Sequence, residues 1–212
     1  MDTAVMGHLS TRFSRRLVRQ PAAARCDVHF IDLMNAPLPT IDPRIPMCWE
    51  TAQDLTSVES RVRALPAEHW SDVPDRLARS HWCLVGIHNG AVVHAAWAGI
   101  GRFKAHLFDR WFQLRPDDAY LYGAYTRPEC RGQLIHPASA LERLRQIRES
   151  GVRRVYWFVD PANHAARRLP ARLGAACIGS VGYVEAAGMR LHYLTDIGHL
   201  SRSNARFLLE KR

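Results

Sequence analysis

The chain has 212 residues and carries 29 Lys and Arg against 20 Asp and Glu, a formal charge of +9. Hydrophobic residues make up 47% and charged residues 23%, which excludes a disordered, collagen-like or disulfide-stapled protein. The longest apolar runs fall far short of the ~20 residues of a membrane helix, so no membrane span is predicted. No signal peptide is visible, and a cytoplasmic localisation is the default.

The positive charge is unevenly distributed and almost wholly arginine. Residues 1–26 carry a net charge of +4, residues 27–100 a net charge of −4 and residues 101–212 a net charge of +9. Charge alone leaves two explanations open, a polyanionic partner and a solvated arginine-rich surface. The five cysteines are widely spaced and lack any metal-ligand spacing, so they are predicted to be reduced, with no metal site.

The N-terminal segment is predicted to be an amphipathic helix over residues 6–19. Its apolar stripe is separate from its arginines, so the helix either lies on an acidic or membrane surface or docks on its own domain. We expect a basic extension over residues 1–25, one domain over residues 26–200 and a tail over residues 201–212. The stripe consists of Met6, Leu9, Phe13 and Leu17.

The first half of the domain is predicted to form a strand, a connector and two helices. Cys26–Leu33 has strand character, and four prolines between Pro37 and Pro46 indicate a connector. Thr51–Leu65 is predicted to be a helix capped by Thr51, and Asp72–Ser80 a second short helix.

The middle of the chain predicts two hairpins, hence four antiparallel strands. Trp82–His88 and Ala91–Ala98 flank Asn89-Gly90, a strong hairpin signal. His106–Leu114 and Ala119–Thr126 flank a Pro-Asp-Asp turn. The rest alternates helix and strand, which makes the fold α/β with a mixed sheet. The remaining predicted elements are helix Pro137–Ser150, strand Arg154–Val159, a helix from Asp160 to Gly174, and strands Cys177–Val184 and Arg190–Thr195.

A basic loop joins a predicted strand to a predicted helix between Arg127 and His136. Backbone N–H groups at a helix start, together with the helix dipole, favour a phosphate or pyrophosphate there. Gly132 is the loop's only glycine, so the segment is neither a Walker A loop nor a GxGxxG fingerprint.

Two segments of the sequence, TRPECRGQLIHPASAL and VDPANHAARRLPARLGA, resemble the two cofactor motifs of the GNAT N-acetyltransferase superfamily. The resemblance covers about residues 82–186 and rests on the order of the motifs. It implies the GNAT fold, a mixed and mostly antiparallel twisted sheet flanked by helices. It also implies an acyltransferase that moves an acetyl group from acetyl-CoA to an amine, with no metal.

The same resemblance implies roles for particular residues. Backbone groups of Ala124, Tyr125 and Thr126 would pair with the pantetheine arm of CoA, as an added strand pairs with a sheet edge. Asn163, with Arg167 or Arg168, would reach the pantetheine or the adenosine phosphates, although Asn163 also suits a residue that satisfies its own helix. The residues that would wrap the pyrophosphate are Arg131, Gly132, Gln133, Leu134, Ile135 and His136.

The sequence departs from the family pattern at three positions. Leu134 and His136 replace glycines of the phosphate loop, and Pro170 stands where many members carry the tyrosine that protonates the leaving thiolate. The catalytic candidates kept here are Tyr122 and Glu129, against the alternatives of strand packing for Tyr122 and a solvent-facing turn for Glu129. Further candidates near the expected cleft are His106, Asp109, Tyr156 and Tyr183. His94 and His192 are interpreted as structural, while Trp111 either packs or lines an acceptor pocket.

Three functions follow from these features. The leading prediction is an N-acyltransferase whose partners are acyl-CoA and an amine-bearing acceptor, and the acidic block at 27–100 hints at a cationic or amine acceptor. The second is a GNAT-fold protein that has lost catalysis and serves as a CoA sensor or interaction module. The third, a basic nucleic-acid-binding protein, is not expected, because no recognition motif is present and the arginines are not interleaved with aromatics. The oligomeric state stays open.

Overall fold

The computed structural model describes residues 23–62, 65–66, 73–105, 108, 110–186 and 189–194. The predicted helix at 6–19 and the predicted tail lie outside these residues. No helix in the described ranges is long and apolar enough to cross a membrane. All five cysteines are free thiols.

Eight strands form one sheet, and two more form a separate hairpin. The sheet order is β10-β9-β1-β8-β7-β4-β3-β2, and β5 pairs only with β6. Helices flank the large sheet, which is antiparallel except between β7 and β8, so the predicted α/β fold is confirmed. The strands are β1 Ala23–Asp32, β2 Cys48–Ala52, β3 Trp82–His88, β4 Ala91–Ile100, β5 Arg102–Ala105, β6 Arg110–Gln113, β7 Asp118–Thr126, β8 Arg154–Val159, β9 Ala176–Ala186 and β10 Met189–Leu194. The α-helices are α1 Leu55–Val62, α2 Val73–Leu77, α3 Ile135–Glu149 and α4 His164–Arg172.

The first strand of the described chain lies inside the sheet. β1 runs antiparallel to both of its neighbours, with Val28 opposite Phe158 of β8 and Ala24 opposite Tyr183 of β9. Val28 is completely buried. β1 begins at Ala23, inside the segment predicted as an N-terminal extension. The chain therefore uses its N-terminal strand to join the two C-terminal strands to the rest of the sheet.

The parallel contact between β7 and β8 is short. Three register pairs join the strands: Asp118–Arg154, Ala119–Val155 and Tyr120–Tyr156. β7 continues to Thr126, whereas its pairing with β8 ends at Tyr120. On its other side, β7 gains one residue relative to β4, and Gly123 takes a φ of +58° that favours glycine. β7 and β8 therefore diverge along the last six residues of β7.

Each face of the sheet has its own packing. The predicted apolar stripe of α3 is confirmed, because Leu141, Leu144 and Ile147 are fully buried against β1, β7 and β8. On the other face, Phe103 of the β5–β6 hairpin stacks on Tyr120 with ring centroids 3.7 Å apart. The helices α1 and α2 cover the same face beside the hairpin, over β3 and β4.

The predicted helix Thr51–Leu65 is wrong over its first part. Thr51 lies in β2, which pairs with β3, and its hydroxyl donates to Gln146 of α3 over 3.1 Å. The helix begins at Leu55, and Asp54 caps it by accepting a hydrogen bond from the Ser57 N–H over 2.8 Å. Pairing with β3 decides this segment, and it is not visible in the local pattern.

The predicted hairpin between His106–Leu114 and Ala119–Thr126 is also wrong. β6 pairs with β5, and β7 pairs with β4 instead. Gly101, at a φ of +74°, turns the chain out of β4, and its carbonyl accepts a hydrogen bond from the Leu114 N–H over 2.6 Å. The hairpin thus closes on itself, and residues 106–107 and 109 lie outside the described ranges.

The second predicted C-terminal helix starts later than expected. Asp160 accepts a hydrogen bond from the Ala162 N–H over 2.8 Å, which closes a local turn. Asn163 is the N-cap of α4, and its Oδ1 accepts from the Ala166 N–H over 3.0 Å. The cap therefore lies three residues after the predicted Asp160.

A buried polar network joins β4, β7 and α3. His94 is completely buried, with Nδ1 2.8 Å from the Thr126 hydroxyl and Nε2 2.8 Å from the Ser139 hydroxyl. Arg143 is 1% exposed and donates to the Trp97 carbonyl over 2.7 Å and to the Ser139 carbonyl over 3.4 Å. These bonds fix the start of α3 to the end of β7, in agreement with the structural role predicted for His94.

Val28→Ala tests the central position of β1. Removing two methyl groups from a fully buried site should lower the free energy of unfolding by about 2 kcal/mol. The control is Arg25→Ala, in an exposed side chain of the same strand, which should change it by no more than about 0.5 kcal/mol. Urea unfolding measures both, and equal effects would contradict the central placement of β1.

Stability should fall as the pH drops below about 6.5, the usual histidine pKa. Burial lowers the pKa of His94 well below that value, and burial followed by the Arg143 charge lowers the pKa of His136 to about 4. Between these pH values the histidines are protonated in the unfolded chain but stay neutral in the folded chain. His136 alone should therefore lower the free energy of unfolding by about 2 kcal/mol between pH 7.5 and pH 5. Urea unfolding at these two pH values measures the loss. His136→Gln should show a smaller loss than wild type, whereas His164→Gln, an exposed control, should not.

Candidate active site

A cavity of about 680 Å³ lies where β7 ends, between the loop that leads into α3 and the helix α4. All the predicted cofactor residues except Gln133 and Arg167 line it. It is lined by Arg44, Ala124, Tyr125, Thr126, Cys130, Arg131, Gly132, Leu134, Ile135, His136, Pro137, Asn163, Ala165, Ala166, Arg168, Leu169 and Arg172.

The loop from β7 to α3 is held against the sheet at several points. The Arg127 N–H donates to the Val93 carbonyl over 2.8 Å, and the Arg131 side chain donates from Nε to the Thr126 carbonyl over 3.2 Å. Gly132 and Leu134 both have positive φ, +80° and +59°. Leu134 thus adopts, at some cost in strain, a left-handed conformation that glycine adopts freely.

α3 begins facing the cavity without a side-chain cap. Its N-cap is Leu134, whose side chain makes no capping hydrogen bond. Ile135 and His136 supply backbone donors in that first turn, and the positive end of the helix dipole lies there too. His136 also contributes a largely neutral ring at neutral pH, because burial and then the Arg143 charge lower its pKa to about 4. The start of α3 is therefore suited to bind an anion.

The charges around the cavity have one sign. Its described lining contains four arginines and no carboxylate. Arg131 and Arg168 were expected from the motifs, but Arg44 and Arg172 were not. Arg44 comes from the proline-rich connector, and its backbone N–H donates to the Gln133 carbonyl over 2.9 Å. Nothing local in the sequence marks Arg44, since the contact joins residues that are far apart along the chain.

Asn163 serves its own helix and also lines the cavity. Its Oδ1 caps α4, which matches the alternative role that the sequence left open. Arg167 is exposed outside the lining, whereas Arg168 belongs to it.

Tyr122 lies on β7 just beyond the last residue paired with β8. Its hydroxyl lies 2.6 Å from Nδ1 of His81, and the other ring nitrogen of His81 lies 3.1 Å from the Arg102 carbonyl. Arg76 of α2 places its guanidinium carbon 5.0 Å from the Tyr122 ring centre and 4.9 Å from that of Trp97. Tyr122 is therefore half-buried in a group of polar and aromatic side chains. No motif or spacing in the sequence predicted that His81 would be one of them.

The other catalytic candidates have different surroundings. Glu129 lies in a short 3-10 turn at Pro128–Cys130, its side chain 64% exposed and 3.7 Å from the Arg127 guanidinium. Tyr156 and Tyr183 are buried in the aromatic cluster beneath the β5–β6 hairpin. His106 and Asp109 lie outside the described residues.

Trp111 of β6 lies under two cations. The guanidinium carbons of Arg79 and Arg102 are 4.5 and 4.6 Å from its ring centres. Contacts of this length between a guanidinium and an indole are attractive. Trp111 therefore packs against two arginine side chains, and it is not among the described residues that line the cavity.

Comparisons with known proteins agree with this geometry. The model of the acetyltransferase (GNAT) family matches residues 49–175. No curated protein matches the sequence significantly.

Solved structures of acetyltransferases share the fold at low sequence identity. A GCN5-related N-acetyltransferase from Kribbella flavida is 13% identical, with a TM-score of 0.51 over 84% of this chain and 60% of that one. A tandem GNAT protein from the clavulanic acid biosynthesis pathway is 15% identical, with a TM-score of 0.50 over 84% of this chain and 55% of that one. A glucosamine N-acetyltransferase region of a fungal multi-domain GH3 β-N-acetylglucosaminidase is 13% identical, with a TM-score of 0.53 over 80% of this chain and 21% of that one.

The chain thus spans 60% or less of these three structures, and at these identities they show the fold alone. The family model covers more than half of the chain and includes the whole of β7, the loop before α3 and the whole of α4. The chain therefore belongs to the acetyltransferase (GNAT) family.

Proposed function

We propose that the protein transfers an acyl group, acetyl in the simplest case, from acyl-CoA to an amine acceptor. The observation that carries the proposal is the divergence of β7 from β8 beside a cavity whose described lining holds four arginines and no carboxylate. Family membership supports the reaction type.

The residues present fit acyl-CoA. Its phosphates carry about four negative charges, which the four arginines and the uncapped start of α3 are suited to hold. The extended pantetheine arm matches the open edge of β7 at Ala124, Tyr125 and Thr126, where backbone groups no longer pair with β8. The thioester, when bound, supplies an activated acyl carbon.

The chain's own groups then have three tasks. Backbone N–H groups along the diverging part of β7 are placed to stabilise the oxyanion that forms on the acyl carbon. The cavity orients the reacting groups, which lowers the entropic cost of their encounter. A proton must move from the amine to the departing sulfur, and Pro170, which has no proton to give, cannot carry it.

Of the two catalytic side chains predicted from the sequence, the proposal keeps Tyr122. Tyr122 lies where the strands part and has a partner able to exchange protons with it. Glu129 lies on an exposed turn and is paired with Arg127.

CoA should raise the melting temperature of the protein, because only the folded state has the cavity. At a concentration one hundred times its dissociation constant, a ligand stabilises by about 2.7 kcal/mol, a shift of several degrees. Thermal unfolding with and without millimolar CoA or acetyl-CoA measures it, together with calorimetry. An unmoved transition and no binding heat would refute the cofactor assignment.

Arg168→Ala should weaken CoA binding about tenfold, since one charge-assisted contact to phosphate is lost in a partly solvated site. The matched control is Arg148→Ala in the last turn of α3, outside the cavity lining, which removes the same charge. Isothermal titration calorimetry compares the two. Equal losses would mean that net charge, and not this cavity, determines affinity.

Turnover separates an enzyme from a catalytically inactive CoA-binding protein. Release of the CoA thiol from acetyl-CoA is expected to accelerate when the correct member of a broad panel of primary amines is added. A thiol-reactive dye records the rate. CoA binding with no acceleration by any amine would favour the inactive alternative.

A further inference from the structure

We propose that His81 and Tyr122 form a proton relay. In this relay the Tyr122 hydroxyl exchanges protons with the reacting groups, and His81 orients that hydroxyl, accepts its proton and returns it. The relay rests on the proposed acyl transfer and names residues that the family motifs do not contain. Tyr122 is the catalytic residue of the pair, and His81 is its positioning residue.

The hydrogen bonds of His81 determine its tautomer. Its Nε2 lies 3.1 Å from the Arg102 backbone carbonyl, which only accepts, so the neutral ring carries its proton on Nε2. Nδ1 then has a lone pair, and it accepts the hydrogen bond from the Tyr122 hydroxyl 2.6 Å away. This chain of acceptor, imidazole and hydroxyl has the logic of a catalytic triad, in which a third group orients the base.

The surroundings hold the His81 ring in place. His81 is 4% exposed, and a Cβ at Gly99 would overlap with the imidazole. Glycine at position 99 therefore makes room for the ring against β4. A buried ring with both nitrogens bonded in one orientation is poised to accept a proton from a single donor.

Tyr122 is the member of the pair that lies near the cavity along the chain. It is two residues from Ala124, which lines the cavity, a distance of about 7 Å along a strand. The register pairs between β7 and β8 end at Tyr120, two residues before Tyr122. Tyr122 packs with the clusters beneath the hairpin and beneath α1 and α2, so its side chain lies on the face of the sheet opposite α3.

One cation and two aromatic rings flank the Tyr122 ring. Arg76 of α2 places its guanidinium carbon 5.0 Å from the ring centre, a distance at which a cation and an aromatic ring attract each other. Tyr120 stacks on Tyr122 with ring centres 5.6 Å apart, and burial raises the pKa of the Tyr120 phenol, which keeps it neutral. Trp97 adds an uncharged ring at 6.4 Å. Among the described neighbours, His81 contributes the ring nitrogen that faces the Tyr122 hydroxyl.

The proton balance of the step is complete without any further reagent. The amine nitrogen attacks the acyl carbon, a C–N bond forms, and the Tyr122 oxygen takes the proton that the nitrogen must lose. The hydroxyl proton of Tyr122 moves at the same time to Nδ1 of His81, which becomes an imidazolium still bonded to the Arg102 carbonyl. When the C–S bond breaks, the proton returns through Tyr122 to the thiolate, which leaves an amide and free thiol.

The first test compares His81→Asn, Tyr122→Phe and the double variant. Asparagine retains a hydrogen-bond acceptor for Tyr122 but takes up no proton, so each single variant should lower kcat about a hundredfold. The double variant should be no slower than the slower single one, because both act in one step. CoA affinity should stay within about twofold. Thiol release from acetyl-CoA, with the amine panel and with water as acceptor, measures the rates.

The matched control is His88→Asn, in a ring that hydrogen-bonds the Pro46 carbonyl at the far end of β3. It should retain the wild-type kcat. The pH dependence of kcat should also differ between His81→Asn and the wild type, an effect that a purely structural histidine would not have. A His81→Asn enzyme with the wild-type rate and pH profile overturns the relay.

A second measurement needs no acceptor. NMR of protein labelled at its histidine ring nitrogens, with the His81 signals assigned from His81→Asn, should show the Nε2–H tautomer and an Nδ1 signal that moves in Tyr122→Phe. An Nδ1–H tautomer, or an Nδ1 signal indifferent to Tyr122→Phe, overturns the relay even if CoA binds. Absence of CoA binding in calorimetry instead overturns the proposed function and leaves the tautomer result standing.

Discussion

The separation of β7 from β8 is the constraint on which the rest of the site depends. Two parallel strands that paired along their whole length would satisfy each other's backbone groups and leave no opening between them. Here the pairing stops after Tyr120, where an extra residue in β7 and the left-handed backbone of Gly123 turn the strand away. β8 cannot follow, because it is paired with β1 on its other side. An edge is thus exposed in the middle of a sheet, beside a helix start.

The buried polar network makes this opening rigid. His94 binds the hydroxyl of Thr126 at the end of β7 and the hydroxyl of Ser139 in α3. Arg143 ties the same helix to the Trp97 carbonyl of β4. Such groups are costly to bury unless they are hydrogen-bonded, so the network specifies one arrangement of strand and helix. The loop between them therefore has fixed ends, which compensates in part for the strained backbone at Leu134.

Local signals gave correct predictions where neighbours in sequence decide the structure. The Asn89-Gly90 hairpin, the stripe of α3 and the strand at Arg154–Val159 are of this kind, and the two motif segments located most of the cavity lining. Long-range pairing decided the rest. β2 forms because β3 is available to it, and β1 lies inside the sheet because β8 and β9 each pair with one of its two edges. Arg44 and His81 reach the site only through the fold. No spacing in the sequence could reveal them.

The position of β1 also affects the order in which the strands of the sheet can pair during folding. Its pairing partners in β8 and β9 lie more than a hundred residues away along the chain. Contacts so distant close a large loop, which slows folding, and on the ribosome β1 emerges long before either partner. Until then its buried residues, which include Val28 on one face of the sheet and Ile31 on the other, have no strands to pack beside. β1 is thus open to non-native contacts during synthesis.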